Sequence, residues 1–240
     1  MSEGNKINAT SLPISSLKGV GEKLSNSLIK LGIRNLEDLL FHFPIDYLDR
    51  TKLEQIADLT PENDFVIRGE IEKVSQTFVP RKMLLVKVKD NSGHIFLRFF
   101  YYFPSLRNIF KEGVNIQVAG KSRLGRYGLE TIHPDYEILN NEDFIPKILP
   151  KYRLTKGITQ QKIRKIISQT CQLLRDKKIE IDDYINHPNL QSLNDAVVGI
   201  HQPDHKNPIN DYLIGGESKA RLRIGLEEII ANKISYLSIK

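Results

Sequence analysis

The chain has 240 residues and a formal net charge of +6, from 35 Lys and Arg against 29 Asp and Glu. With 40% hydrophobic and 27% charged residues its composition is that of a globular protein, which excludes wholesale disorder. A single cysteine excludes a disulfide scaffold, no run of about 18 apolar residues predicts a membrane helix, and no secretory signal is visible. The composition therefore predicts a soluble, cytoplasmic protein without membrane association.

The first 50 residues carry two short helical patterns behind a polar start. Residues 1–11 are polar, and we expect them to be mobile. Over residues 12–50, apolar residues at helical spacing predict one helix that Gly32 ends and a second that Asn35 caps. The segment is therefore predicted to be a helical hairpin.

The first helical pattern contains a Gly-x-Gly element that resembles those of helix-hairpin-helix segments. In such elements the glycines let backbone N–H groups approach a DNA phosphate, and the helix N-terminus favours the anion. The candidate phosphate contacts here are Lys18, Gly19, Gly21 and Lys23. A plain structural turn between packed helices is the alternative.

Residues 51–140 change to the two-residue period of β-strands. The predicted strands are Phe65–Lys73, Lys82–Lys89, His94–Tyr101, Asn115–Leu124 and Leu129–Ile138. A short helix is predicted from Pro104 to about Phe110, between the third and fourth strands. Three strands, a helix and two strands is the order of an OB-fold. The predicted fold class is α+β, a five-stranded OB-fold β-barrel flanked by the N-terminal helical hairpin and by C-terminal helices.

The remainder of the chain returns to helical patterns after a linker at residues 141–157. Residues 158–240 are predicted to form a helical segment in which Cys171 lies on an apolar face, as a buried thiol. The stretch from His187 to Gly216 is predicted to be loop-rich. A last helix starts near Glu217, with an apolar side formed by Leu222, Leu226, Ile229, Ile230 and Leu237. Because this helix is still amphipathic at the last residue, we expect it to lead toward a further domain.

Charge and aromatic residues concentrate in one segment. Residues 65–130 hold 12 basic and 5 acidic residues, a surplus of seven, and six of the nineteen aromatics lie between Phe96 and Phe103. Cations bind phosphates and rings stack on bases, so this surplus is typical of a nucleic-acid-binding surface. Since side chains alternate along a strand, Phe99 and Phe100 cannot both face the core, and we expect at least one exposed ring.

The cations of this segment are the second set of candidate phosphate contacts, three of them with a tyrosine around a predicted hairpin tip. The set is Arg81, Lys82, Arg98, Lys121, Arg123, Arg126 and Tyr127. A solubilising turn is the alternative at the hairpin tip.

Two sequence patterns imitate ligand-binding motifs but are not expected to bind ATP or a metal ion. Gly120-Lys121-Ser122 imitates the end of a P-loop, but Asn115 occupies the place of the required glycine and no helix follows, so ATP is not expected there. Pro203 separates His201 from His205, so no metal site is expected, and no catalytic residue is assigned.

A series of short motifs identifies a family resemblance. In chain order they are Leu17-Lys18-Gly19-Val20-Gly21, Phe43-Pro44 with Tyr47 and Asp49-Arg50-Thr51, Asp90-Asn91-Ser92-Gly93, Arg98-Phe99-Phe100, Gly125-Arg126-Tyr127-Gly128, Ile132-His133-Pro134-Asp135-Tyr136, and Ala220-Arg221-Leu222-Arg223 with Leu226-Glu227-Glu228. In order and spacing they resemble the N-terminal part of the RecG family of bacterial ATP-dependent DNA helicases, over about residues 12–240.

The resemblance implies a role in DNA repair and recombination. The OB-fold would be a wedge that binds branched DNA, such as a replication fork or a Holliday junction, and splits its arms. Phe99 and Phe100 would stack on the parting base pairs. Tyr102 or Phe103 would be a second stacking residue, although the run Tyr101-Tyr102-Phe103 departs from the more polar family pattern.

The resemblance also implies which cofactors and partners to expect. ATP and Mg²⁺ would bind in motor domains beyond residue 240, so we expect no cofactor and no ATPase activity in this chain. The expected partners are branched DNA, motor domains of the same polypeptide and single-strand binding protein. Two alternatives remain, a generic single-stranded nucleic-acid-binding OB protein and a protein-interaction adaptor.

Overall fold

A computed structural model describes residues 7–78, 82–100, 102, 104–139, 146–185 and 187–238. The chain divides into two units, one formed by residues 1–49 and 147–240 and the other by residues 50–146. The predicted helical hairpin and the C-terminal helices thus share one unit, which we call the helical unit. Residues 50–146 form the β unit.

The secondary structure follows the predicted order of elements. Within the described residues the helices are α1 (Glu22–Ile29), α2 (Leu36–Leu40), α3 (Pro104–Ile109), α4 (Gln160–Arg175), α5 (Leu193–His201) and α6 (Lys219–Ser238). The strands are β1 (Ile7–Asn8), β2 (Asp46–Arg50), β3 (Asp64–Thr77), β4 (Met83–Lys89), β5 (His94–Phe99), β6 (Asn115–Lys121), β7 (Arg123–Gly125), β8 (Gly128–Ile132), β9 (Asp135–Ile138), β10 (Lys147–Lys151) and β11 (Ile179–Glu180). Among the described helices, none combines the length and the apolar character needed to cross a membrane.

The N-terminal hairpin is built as the sequence indicates, with short helices. Asn35 caps α2 in a reciprocal capping box, because its side chain accepts the Asp38 N–H while the Asp38 carboxylate accepts the Asn35 N–H. Gly32 follows α1 with a φ of 85°, a conformation that glycine adopts without a steric penalty. The apolar faces of both helices enter the core of the helical unit.

The start of the chain is held more firmly than expected. Residues 7–11 were expected to be mobile, but Ile7–Asn8 pairs in parallel with Ile179–Glu180, and Ala9 is completely buried. The expectation was wrong for these residues because it considered their polarity alone. Residues 1–6 lie outside the described residues.

The C-terminal helices complete the core of the helical unit. Cys171 on α4 is buried as predicted, and burial raises the pKa of its thiol to about 12. Within the stretch predicted to be loop-rich, α5 begins after Ser192, whose hydroxyl accepts the Asp195 N–H as an N-cap. This buried helix was not predicted, because the prolines of the surrounding stretch indicated a loop.

Helix α6 packs through a different face from the predicted one. Ala220, Arg223 and Ile224 are buried, whereas Leu222 and Ile229 of the predicted apolar side are exposed. Arg223 forms ion pairs with Asp183 and with Glu227 and donates to the Gln191 carbonyl. These groups neutralise the Arg223 guanidinium and accept its hydrogen bonds, so this charged side chain can lie fully buried on the inward face of α6.

The β unit has the strand order of an OB-like fold. Its sheet runs β7-β8-β5-β4-β3-β6-β9, with β3 antiparallel to both β4 and β6, and β8 parallel to β5. Inward-facing residues of these strands, together with Phe110 after α3, form one apolar core. The α+β, OB-like class is confirmed.

The sheet is open in the described residues, and the last predicted strand is divided in two. His133 has a φ of 46° and Pro134 has no N–H, so the predicted fifth strand divides into β8 and β9. Strand β9 then pairs with β6 at the edge of the sheet. A Cβ at Gly120 would lie 2.8 Å from Thr131 Oγ1, so β6 and β8 still approach closely there.

A buried histidine links three segments of the helical unit. His201 Nε2 lies 2.7 Å from the Leu40 carbonyl oxygen, and Nδ1 lies 2.9 Å from the Tyr152 hydroxyl. Since a carbonyl can only accept, Nε2 carries the proton and Nδ1 accepts from Tyr152. Burial lowers the pKa of His201 to about 4, and both ring nitrogens are engaged within the protein.

His201 makes the stability of the helical unit depend on pH. Its pKa is 6.5 ordinarily and about 4 in the folded chain, so between these values only the unfolded chain binds the proton. The stabilisation is therefore complete above about pH 6.5 and is lost as the pH falls toward 4. In the wild type this proton uptake should lower the unfolding free energy by about 2 kcal/mol between about pH 7 and pH 5. His201→Gln should abolish that decrease, which urea denaturation at the two pH values measures. His205→Gln, at an exposed site, is the control, and equal slopes for the His201 variant and the wild type would refute this assignment.

Candidate nucleic-acid interface

Strand β5 divides the predicted stacking residues between the core and the surface. Alternate residues Ile95, Leu97 and Phe99 are buried, while Phe96 and Phe100 are partly exposed. The prediction that Phe99 and Phe100 cannot both face the core is confirmed. The outward face of β5 is therefore the surface on which an aromatic contact can form.

Phe99 belongs to the core of the β unit. Only 4% of it is exposed, and its ring centroid lies 5.4 Å from that of Phe110 and 6.0 Å from that of Tyr136. A ring packed in this way has no face free for a base. We therefore correct its expected role and assign Phe99 to packing instead of base stacking.

Phe100 and Tyr102 remain candidates for stacking. The Phe100 ring is partly exposed and its centroid lies 6.0 Å from that of His133. Tyr102 is partly buried against the core, and the Lys82 ammonium lies 5.6 Å from the centroid of its ring. These residues bring an aromatic surface and a cation together after β5. The predicted contacts Arg81 and Phe103 lie outside the described residues.

Two predicted phosphate ligands are bound to a buried carboxylate. Glu130 is 2% exposed, and its Oε2 lies 2.6 Å from Arg98 Nε while its Oε1 lies 2.6 Å from Arg123 Nη2. One carboxylate thus neutralises one of two guanidinium charges. Arg98 is nearly buried, so its main contact is internal, whereas Arg123 stays half-exposed.

The glycine at the end of β7 makes room for this carboxylate. A Cβ at Gly125 would lie 1.9 Å from Glu130 Oε2, which is far inside van der Waals contact. Gly128, at the start of β8, has a φ of 111° and closes the tight turn. The Gly125-Arg126-Tyr127-Gly128 motif therefore fixes the hairpin over Glu130 and presents its two middle residues to solvent.

The remaining predicted cations lie at the tip of this hairpin and at the end of β6. Arg126 and Tyr127 are exposed at the tip, with the guanidinium carbon 5.7 Å from the ring centroid. Lys121 at the end of β6 is exposed and lies 3.1 Å from Glu62. The next residue, Ser122, donates its hydroxyl to the Thr60 carbonyl at 2.5 Å. This strand arrangement does not fit a P-loop, in which a glycine-rich loop leads into a helix.

The Gly-x-Gly element of the helical unit lines an open cleft of about 530 Å³. Gly19, Gly21 and Lys23 contribute to it, together with Thr159 and Lys162 at the start of α4. Sequence reasoning missed Lys162, although Thr159 as an N-cap residue marks the helix start beside it. Lys18 is exposed next to the element. The structure thus brings two lysines and two helix N-termini to one cleft.

The charge of the folded units corrects the interpretation of the basic segment. The β unit as a whole contains 14 basic and 13 acidic residues, a net charge of +1, because acidic residues flank the basic segment on both sides. The helical unit has 21 basic and 16 acidic residues, a net charge of +5. The surplus of seven is therefore a property of the chosen segment and not of the β unit.

Comparison with known proteins agrees with the fold and the motifs. Residues 13–174 match the family model of the RecG wedge domain. The chain belongs to this family. The ATP-dependent DNA helicase RecG of Haemophilus influenzae is 35% identical over 237 residues, which are 95% of this chain and 34% of that protein. RecG of Escherichia coli K12 is 32% identical over 234 residues, with the same shares.

A solved RecG structure has the same fold over the whole chain. The structure of RecG bound to a three-way DNA junction matches with a TM-score of 0.76 and 27% identity, covering 100% of this chain and 32% of that one. This wedge-family chain thus spans about a third of the length of the RecG proteins it matches.

Several of the motifs that indicated RecG have structural roles in this chain. Arg50 pairs with Asp135 at 2.5 Å, which joins two of the motifs in space. The Asp90 carboxylate accepts N–H groups of Ser92, Gly93 and Ile56. Burial acts to raise the pKa of Asp90, but these hydrogen bonds and that of the Ser92 hydroxyl outweigh it and hold the pKa below its ordinary value. These motifs therefore make internal contacts that shape the β unit.

Glu130 should be important for the stability of the β unit. Glu130→Gln leaves two guanidinium groups without their carboxylate, and we expect a loss of about 3–5 kcal/mol in the free energy of unfolding. Glu70→Gln is the matched control, since Glu70 pairs with Lys89 on the exposed surface of the same sheet and should contribute about 1 kcal/mol or less. Chemical denaturation of both variants measures this, and equal losses would contradict the role of Glu130.

Proposed function

We propose that this chain is the junction-binding wedge of a RecG-type helicase, which binds branched DNA without covalent chemistry and keeps its arms apart. The observation that carries the proposal is the agreement of the whole chain with RecG bound to a three-way DNA junction. The wedge-domain match over residues 13–174 supports it, since it includes the entire β unit.

In the proposed mechanism, rings replace the base stacking that is lost where the arms separate. Phe100 stacks on an unpaired base, with Tyr102 as a second ring, and a stacked base contributes about 1–3 kcal/mol. Lys82, which lies beside the Tyr102 ring, contacts a phosphate near these rings, and Arg126 contacts one at the hairpin tip. Lys18, Lys23 and the N–H groups around Gly19 and Gly21 contact a further stretch of backbone. Binding then depends on junction shape and on salt, and not on sequence.

The proposal assigns the wedge one part of a larger process. The RecG relatives are named as ATP-dependent DNA helicases, and this chain matches about a third of their length. In our proposal an ATP- and Mg²⁺-dependent motor moves the DNA in the cytoplasm, while the wedge binds and divides it. Single-strand binding protein is a further proposed partner at the fork.

Phe100 provides the first test. In fluorescence-anisotropy competition, a three-way junction should bind more tightly than a linear duplex or a single strand of equal length, by about tenfold or more, or about 1.4 kcal/mol. Phe100→Ala should weaken junction binding by about 5- to 150-fold, since it removes a stacking ring. Tyr184→Ala, at an exposed ring of the helical unit, should leave the affinity unchanged.

The outcomes of this competition separate the alternatives. Tighter binding of the single strand would favour a generic single-strand binder. Failure to bind any DNA would favour a protein-interaction adaptor. Unchanged junction affinity of the Phe100 variant, with its unfolding transition intact, would refute stacking at this position.

The cleft beside Gly19 provides an independent test of phosphate contact. Lys23 lies in the first turn of α1 and lines the cleft, whereas Lys30 follows the same helix at its other end. Lys23→Gln should lower the slope of log affinity against log salt concentration by about 0.9, the value for one lost phosphate contact. Lys30→Gln should leave the slope unchanged. Equal slopes for both variants would assign the Gly-x-Gly element to a structural turn.

A further inference from the structure

Positive charge in the helical unit concentrates on α4 and on the segments that flank it. Residues 151–178 hold nine basic residues and one acidic residue, a net charge of +8, whereas the rest of the helical unit has a net charge of −3. Two of these cations pair with aspartates, but Lys156, Lys162 and Lys165 form no ion pair within the described residues. This segment therefore presents unneutralised cations, unlike the two arginines that share Glu130 in the β unit.

One of these cations reaches the Gly-x-Gly element. A Cβ at Gly19 would lie 3.8 Å from Lys162 Nζ, so this side chain extends from α4 to the opposite wall of the cleft. Lys23 lines the same cleft from α1, and Glu22 is the one carboxylate among the described residues that line it. Two cations that line one cleft repel each other, and an anion bound between them relieves this repulsion. The cleft is therefore complementary to a negatively charged ligand.

The lining of the cleft indicates which polyanion fits it. Among the described residues that line it none is aromatic, and Gly19, Gly21 and Gly157 present exposed backbone without side chains. Single-stranded DNA is bound largely by stacking of its bases on rings, which this cleft does not offer. A duplex keeps its bases inside and presents phosphates at about twice the linear charge density of one strand. A cationic cleft without rings therefore favours the phosphate backbone of a duplex.

We infer that α4 forms the second wall of a duplex-binding cleft, in which Lys162 binds a phosphate of a duplex arm. Lys156, exposed beside Gly157 at the edge of the cleft, binds a neighbouring phosphate. The rings after β5 then bind unpaired bases, whereas the helical unit binds paired DNA. The inference rests on the proposed junction binding, and it adds the class of DNA that the helical unit binds and the side chains near the start of α4 that bind it.

Salt titration with two DNA probes tests the assignment. Lys162→Gln should weaken binding of a linear duplex by about fivefold or more at about 0.1 M salt. The slope of log affinity against log salt concentration should fall by about 0.9, as expected for one lost phosphate contact. The affinity of the same variant for a single strand of equal length should change by less than about twofold. Lys162→Arg keeps the charge and should keep the slope.

Arg175→Gln is the matched control. Arg175 is exposed in the last turn of the same helix, about 20 Å from Lys162 along the helix axis, and its replacement changes the net charge equally. This variant should keep the duplex affinity and the slope of the wild type. Urea denaturation verifies that both variants remain folded.

Phe100→Ala should show the converse behaviour. It should weaken junction binding but change binding of the linear duplex by less than about twofold, since a duplex offers no unpaired base to stack on the ring. The two variants together then assign paired and unpaired DNA to different residues.

Three results would overturn the inference. Unchanged duplex affinity of Lys162→Gln would leave an acidic protein surface as the occupant of the cleft. Equal losses for Lys162→Gln and Arg175→Gln would show that binding depends on net charge alone. Equal losses of Lys162→Gln on duplex and single strand would contradict the preference for paired DNA.

The same measurements distinguish failure of this inference from failure of the proposed function. If the wild-type chain does not prefer a junction over a linear duplex or a single strand, the proposed function fails whatever Lys162 does. If the wild type prefers the junction but Lys162→Gln leaves duplex binding intact, the contact on α4 alone fails. A loss with Lys162→Gln but not with Lys23→Gln would support α4 as the binding wall and assign the Gly-x-Gly element to a structural turn.

Discussion

The placement of Glu130 between two arginines is the interaction on which the hairpin side of the β unit depends. The buried carboxylate joins Arg98 on β5 to Arg123 on β7, and Gly125 leaves it the necessary space. A buried ion pair contributes little net stability compared with apolar packing, but its loss leaves uncompensated charge. Its effect here is positional, because it fixes the hairpin beside β5. The pairing of β8 with β5 and with β7 holds the same hairpin through the backbone.

The same interaction changes how the positive charge is understood. Counting cations along the chain suggests a strongly basic surface, yet Arg98, Arg123 and Lys87 each meet a carboxylate. The β unit then has a net charge of only +1, against +5 for the helical unit. A wedge with so little charge attracts DNA weakly from a distance. In the proposed function, discrimination between DNA structures therefore depends on the placed rings more than on the net charge of the β unit.

The sequence predicts local features well and distant partners poorly. The Asn35 capping box, the turn at Asp90–Gly93 and the alternation at Phe99 and Phe100 each depend on residues a few positions apart, and all are present. Which of the two rings enters the core depends on the register of β5 in the sheet, which alternation alone does not determine. Glu130 was not identified because its second partner, Arg98, is far away in sequence. The inward turn of Arg223 on α6 was missed for the same reason, since Asp183 lies 40 residues away.

In the proposed function the wedge must be stiff where it meets the DNA, and the packing of β5 beside Phe100 provides this stiffness. Phe99 holds the strand in the core through Phe110 and Tyr136, so the neighbouring Phe100 is presented by a backbone that cannot retreat. At the other end of the strand, the buried carboxylate of Glu130 fixes the hairpin that carries Tyr127. In the proposed mechanism, separation of the arms requires no movement within the β unit, because a duplex pulled against a fixed edge cannot remain paired across it.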